Sequence, residues 1–205
     1  GRLEDMRSFA KYLGGSSANL AAGTSRLGLR VSMLTRVGDE HMGRFVREAL
    51  QREGVDVSHV ATDPTRLTAS VVLGIEGPAA YPHIFFRENC ADMGVCAQDF
   101  DESYIAGSRA VAVTGTHLST PGTRAAVEQA FRWARANRTR VILDIDYRPV
   151  LWKLTNAGQG ESRFIQSAEV TQALQSVLPE CDLVVGTEEE IRIAGGCDNV
   201  LGSLR

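Results

Sequence analysis

Met42, Phe45, Val46, Ala49 and Leu50 recur three and four positions apart, the spacing that lines one side of a helix, and Gly54 stands where that helix would stop. The same period returns in Val127, Ala130, Phe131 and Ala134, behind a Thr120-Pro121 pair suited to a helix cap and first turn. It returns once more in Val170, Ala173, Leu174, Val177 and Leu178, and Pro179 ends it. Between these stretches lie short strand-like runs: VSMLTRVG at 31–38, AVAVTG at 110–115, RVILDID at 140–146 and DLVVGT at 182–187. Strands alternating with amphipathic helices predict an α/β fold, with a mostly parallel sheet covered by helices on both faces.

Residues 62–92 break this rhythm. RLTASVVLGI and YPHIFFREN, separated by EGPAA, predict a pair of antiparallel strands, the kind of small added sheet that forms a lid on an α/β body. NAGQGES at 156–162 is expected to be a mobile loop.

Composition narrows the function. With 205 residues, 43% hydrophobic and 23% charged, the chain reads as a soluble globular protein with a real core. A net charge of −3 gives no general attraction to nucleic acid or anionic membrane. No apolar run approaches the ~20 residues that span a bilayer, and GRLEDMRSFAKY lacks a signal-peptide core, so the expected location is cytoplasmic, with no nucleic-acid or membrane partner. Cys90, Cys96, Cys181 and Cys197 show no CxxC spacing and are expected to be reduced thiols. His41, His59, His83 and His117 are read as surface or structural histidines.

The stretch YLGGSSANLAAGTSRLGL, 12–29, raises the question of a phosphate cradle. It lacks the G-x-G-x-x-G of a dinucleotide site and the Lys of a Walker loop. It does offer close backbone approach at Gly14 and Gly15, hydroxyls at Ser16 and Ser17, and the amide of Asn19, which can donate and accept at once. Those groups suit a small polyhydroxylated ligand; a plain glycine turn with a serine N-cap is the alternative.

GGSSANLA followed by RVGDEHMG at 36–43 resembles the two amino-terminal motifs of the PfkB-type, ribokinase-like carbohydrate kinases. The resemblance implies a three-layer α-β-α fold with a small β lid, here incomplete, whose lid segments are residues 3–15 and 62–92. It also implies ATP and Mg²⁺ as cofactors, with K⁺ a further ion to test, and a sugar ligand held by Gly15, Ser16 and Asn19. IFFRENCAD at 84–92 is similar to the acid-sugar branch of the family, in which Arg87 would reach a substrate carboxylate; an edge-strand Arg in solvent is the alternative. A guanidinium suits that task because it takes a carboxylate with two parallel bonds. RENCAD, GDEHMGRF and DIDYRPVLW together look most like the acid-sugar kinases of myo-inositol catabolism, although a related acid such as 2-keto-3-deoxygluconate stays open.

DIDYRPVLW at 144–152 is close to the family pattern D-x-N-x-R-x-x-L-W, with Asp146 in place of Asn. The resemblance gives Asp146 to the Mg²⁺ shell and Arg148 to a phosphate or the substrate carboxylate; a surface Asp-Arg pair is the alternative. In GTEEEIRIAGG at 186–196, Thr187 and Glu190 occupy the N-x-x-E motif, whose Glu helps order Mg²⁺, yet Thr-x-x-Glu is also a capping box. The family's G-A-G-D segment, which carries the catalytic base and an anion hole, does not occur in the sequence, nor does the family's first strand. The chain is therefore expected to be an internal piece of a longer kinase, inactive alone, with the lid a candidate homodimer surface. A non-catalytic sugar-binding module is the rival, and a dinucleotide oxidoreductase a weaker one.

Overall fold

The computed structural model describes residues 2–77, 80–158 and 164–203. The chain divides into two compact units, one of residues 1–94 and 149–163, the other of residues 95–148 and 164–205.

In the first unit, α1 (Ser16–Arg26) is followed by β1 (Thr35–Gly38), α2 (His41–Arg52) and β2 (Val60–Asp63). β1 and β2 pair in parallel, Thr35 opposite Val60 and Gly38 opposite Asp63. Ala18, Ala21, Val37, Leu50, Val55 and Val60 form the core between helices and strands. Leu50 is fully buried, so its truncation to Ala would cost about 2–5 kcal/mol. The expected α2 is present, and Gly54 ends it at a φ of 77°. Met42, expected on its buried face, is exposed instead, because Gly43 takes the packed position of the first turn. A methyl group on Gly43 would stand 2.0 Å from the Gly38 carbonyl oxygen, so strand end and helix start touch backbone to backbone.

The expected hairpin forms as β3 (Ser70–Leu73) and β4 (His83–Phe86), antiparallel, with Ser70 opposite Phe86 and Leu73 opposite His83. Its strands are shorter than the two apolar runs. Glu76 donates to the Ala80 carbonyl across the connecting loop, of which residues 78–79 lie outside the described residues. Phe85 N–H donates to the Ala157 carbonyl at 2.9 Å, so the start of the segment expected to be mobile is tied to β4. Its residues 159–162 lie outside the described residues.

The second unit carries α3 (Glu102–Ala106), β5 (Ala110–Thr114), α4 (Pro121–Asn137), β6 (Arg140–Asp144), α5 (Ala168–Val177), β7 (Leu183–Val185), α6 (Glu188–Gly195) and α7 (Val200–Ser203). β5, β6 and β7 lie side by side in that order, all parallel. α4 buries Val127, Ala130, Phe131 and Ala134 as its period predicts, and α5 buries Val170, Ala173, Leu174 and Val177. Thr120 precedes α4 but makes no side-chain cap; its hydroxyl meets that of Thr123 at 2.7 Å. Parallel strands bring the segments after Thr114, Asp144 and Val185 to one end of this sheet, the end where open α/β sheets bind ligands.

Candidate functional site

The glycine-serine loop ends at Gly15, whose φ of 92° and ψ of 148° place it as the residue before α1 in a region that side-chain-bearing residues avoid. No serine caps this helix; Gly15 itself is the residue before it. Ser16 opens the helix, and Asn19 N–H closes its first turn on the Gly15 carbonyl at 3.0 Å. A methyl group on Gly15 would meet no atom within 4 Å, and Asn19 is exposed, so this end of α1 presents open space beside uncovered backbone and an amide.

The motif at 36–43 serves the frame. Glu40 caps α2 by accepting from Met42 and Gly43 N–H, and its Oε1 also accepts from Thr68 N–H at 3.1 Å. Burial pushes its carboxyl up, but the bonds from Thr68, Met42 and Gly43 outweigh that and hold it below the usual range. Asp63, at the end of β2, is 2% exposed. Its Oδ1 accepts from Thr65 N–H, the Thr65 hydroxyl and Arg66 N–H at 2.9–3.0 Å; its Oδ2 lies 2.9 Å from Arg66 Nη1 and 3.6 Å from Arg36 Nη1. The Thr65 backbone bond and the Arg66 guanidinium hold this carboxyl far below the usual range despite burial. Arg66 Nε also donates to Asn89 Oδ1 at 3.0 Å, which ties the loop after β4 to the end of β2.

That loop holds Arg87, which is not in solvent. Its side chain is 17% exposed and its Nη2 donates to Asp92 Oδ2, with Met93 Sδ 3.8 Å away. Arg87 Nε and Asp92 Oδ1 are both buried without a hydrogen-bond partner among the described residues.

In the second unit the segment after β6 turns sharply at Asp146, whose φ of 34° lies in the left-handed region that Asn and Asp tolerate better than most residues. Asp146 Oδ1 lies 2.6 Å from Arg148 Nη2, and Arg148 Nη1 donates to the Tyr147 carbonyl at 2.9 Å. Between them Tyr147 is buried, its hydroxyl donating to the Ile165 carbonyl at 2.7 Å; burial pushes that phenol up to about 12.

Glu190 is 4% exposed and forms a full capping box with Thr187: Thr187 N–H donates to Glu190 Oε2 at 2.8 Å, and Glu190 N–H donates to the Thr187 hydroxyl at 3.3 Å. The remaining oxygen, Oε1, accepts from Tyr147 N–H at 3.0 Å and lies 3.8 Å from Arg148 Nη1. Each oxygen thus already accepts from a backbone N–H, and no group of three or more His, Cys, Asp or Glu that could hold a metal occurs among the described residues. Glu190 fixes the backbone on which Asp146 and Arg148 stand. Asp146, 11% exposed and paired with Arg148, is a carboxylate suited to a metal's water shell, since Mg²⁺ keeps several waters and relies on nucleotide phosphates.

The expected residues therefore fall into two groups: Gly15, Ser16, Asn19 and Arg87 in the first unit, and Asp146, Arg148, Thr187 and Glu190 in the second. Glu40, Asp63, Arg66 and Tyr147 were not anticipated. Asp63-Pro64-Thr65 is a recognisable turn signal, because an Asp side chain reaches the backbone two residues on.

The chain belongs to the pfkB family of carbohydrate kinases, whose model matches residues 1–200. Among named relatives it is 36% identical over 190 residues to the 5-dehydro-2-deoxygluconokinase of Geobacillus kaustophilus, an alignment covering 92% of this chain and 53% of that protein. The chain spans about half the length of the curated relatives it matches. Its fold superimposes on the crystal structure of a PfkB protein from Polaromonas sp. JS666 with a TM-score of 0.86 at 28% identity, covering all of this chain and 66% of that one. A sugar kinase from Pyrococcus horikoshii in complex with ATP gives a TM-score of 0.75 at 25% identity, over 90% of this chain and 56% of that one. Among the described residues no helix is long and apolar enough to cross a membrane.

Proposed function

We propose that the protein carrying this chain is a cytoplasmic ATP-dependent kinase that phosphorylates the terminal hydroxyl of 5-dehydro-2-deoxy-D-gluconate, in the catabolism of myo-inositol. The observation that carries the sugar-acid reading is Arg87: a mostly buried guanidinium on the loop after the hairpin, with one donor unpartnered, in a chain whose named relatives are kinases of that acid. Mostly desolvated, it attracts a carboxylate more strongly than an exposed lysine would.

Each residue then has a physical task. Gly15 and Ser16 offer the sugar a close backbone approach and a hydroxyl, and Asn19 reads sugar hydroxyls through an amide that both donates and accepts. Arg87 orients the acid end. Arg148 faces phosphate or the substrate carboxylate, restrained by Asp146 and by Glu190. Mg²⁺, when bound with ATP, supplies charge neutralisation at the phosphates, and Asp146 meets its water shell. No residue of this chain is assigned as the base at the hydroxyl. The exposed apolar side chains of the hairpin, Val71, Leu73 and Phe86, support a homodimer through this lid.

The test is coupled ADP release by the longest reading frame containing this chain, with 5-dehydro-2-deoxy-D-gluconate, 2-keto-3-deoxygluconate and neutral hexoses, in sodium and in potassium. Preferred turnover of the first acid is expected. Turnover of neutral sugars alone overturns the substrate class, and sugar binding without ADP release makes the protein a binding module.

A further inference from the structure

We propose that Asp92 is an internal stand-in for the substrate's carboxylate, occupying Arg87 until an acidic sugar displaces it and so withholding the guanidinium from neutral ligands. The inference rests on the reading of Arg87 as the carboxylate-binding residue. Asp92 carries the same chemical group as the expected ligand and, among the described residues, its side chain bonds to the same guanidinium, at Nη2. The match is incomplete. A carboxylate and a guanidinium satisfy each other best through two parallel bonds, yet here Asp92 Oδ1 and Arg87 Nε are both buried and, among the described residues, without a partner.

The backbone explains why the second bond is missing. Asp92 sits in the tight turn Ala91–Gly94, where Ala91 N–H donates to the Leu67 carbonyl at 2.9 Å and Met93 N–H to the Cys90 carbonyl at 3.1 Å. Asn89, three residues earlier, is held by Arg66. The contact at Nη2 is already close, so what is missing is alignment: a carboxylate on a pinned turn is not free to swing both oxygens onto the fork, whereas one on a diffusing sugar can choose its approach. The cost of stripping water from Arg87 Nε is already met in the ligand-free state, so the bond the incoming anion gains there is set only against the anion's own desolvation. Neutral hydroxyls make weaker bonds and do not displace a charged partner.

Calorimetry with 5-dehydro-2-deoxy-D-gluconate and its methyl ester, on the longest reading frame, tests this. Asp92→Asn is expected to tighten binding of the acid about 3- to 10-fold, as when the competent fraction of a site is raised. The same substitution in an Arg87→Ala background is expected to change binding less than about twofold, because the effect runs through Arg87. Weaker or unchanged acid binding in Asp92→Asn, or an equal gain without Arg87, overturns the proposal. If Arg87→Ala itself leaves acid binding intact, the carboxylate reading falls and this inference with it; if Arg87→Ala weakens binding while Asp92→Asn does not strengthen it, only this inference falls. Asp92→Ser serves where Asp92→Asn does not fold. In the wild-type protein, the acid must also shift the Arg87 Nε–H resonance, identified by its loss in Arg87→Ala, and an unshifted resonance is equally fatal.

Discussion

Replacing Asp63 by Asn removes one charge from a carboxylate that accepts from Thr65 and Arg66 and faces two guanidinium groups. The amide oxygen can still accept from Thr65 and Arg66 backbone, so the turn survives. The new NH₂, however, faces Arg66 Nη1 and Arg36 Nη1, leaving donors against donors and two guanidinium groups without their anion. Breaking a buried pair costs about 3–5 kcal/mol. Arg36 and Arg66 are 22% and 34% exposed, so water recovers part of that and roughly 2–3 kcal/mol is expected. For a chain of this size that corresponds to a melting point lower by roughly 5–10 °C. The sign with pH is fixed by the depressed carboxyl: its stabilisation is complete above the unfolded value of about 3.9 and is lost as pH falls below it toward the folded value. Thermal melts of wild type and Asp63→Asn from pH 7 to pH 2.5 should therefore show a gap that is constant above about pH 5 and narrows below about pH 4. A gap under about 1 °C at pH 7, or one that does not narrow in acid, would refute the assignment of Asp63 as an ionised structural hub.

Arg87→Ala should lower kcat/KM for the acidic sugar by about 2–4 kcal/mol and for its methyl ester far less; equal losses would remove the carboxylate role. Gly15→Val forces a branched residue onto a φ of 92°, so roughly 1–3 kcal/mol of stability should go together with sugar binding, and binding that survives a lowered melting point would make the loop a structural turn. Glu190→Gln keeps a capping-box partner and should leave the Mg²⁺ requirement for turnover within about twofold, whereas Asp146→Asn, tolerated by the backbone, should raise it about tenfold if the carboxylate meets the metal's water shell; the reverse pattern would return Glu190 to the metal.

Helices α2, α4 and α5 were legible because their apolar period is long and local, and the hairpin because two β-rich runs flank a turn. Strand β2 was not legible: four residues, Val60–Asp63, are too few to show an alternation, and they are made a strand by pairing with β1. The Asp63 hub escaped for a related reason, since Arg36 is 27 positions away and nothing local distinguishes it from a solvated arginine. The place of Arg87 after two aromatics marks it in the sequence, whereas nothing in IFFRENCAD marks Asp92 as its partner. An ion pair five residues apart on a loop depends on the turn between them, and that turn is set by bonds to Leu67 and to Cys90.

Thr187 and Glu190 show where a pattern alone could not decide. Thr-x-x-Glu before an apolar helix serves capping and metal chemistry equally well; the structure shows the capping box formed, and the Mg²⁺ requirement of Glu190→Gln decides whether the same Glu also serves the metal. Asp146 poses the opposite problem. Its left-handed φ accounts for a residue of the Asn or Asp type at this turn, whatever the chemistry, because either side chain relieves the conformation. The backbone therefore leaves the charge undetermined, and a charge the backbone does not require needs another cause. Arg148, 2.6 Å away, supplies one within the chain, and the metal's water shell would supply a second. Asp146→Asn separates them: the ion pair to a 25%-exposed arginine goes in either case, at a cost of at most about 1 kcal/mol of stability, so an unchanged Mg²⁺ dependence leaves the ion pair as the cause of the charge, whereas a shifted dependence adds the water-shell contact.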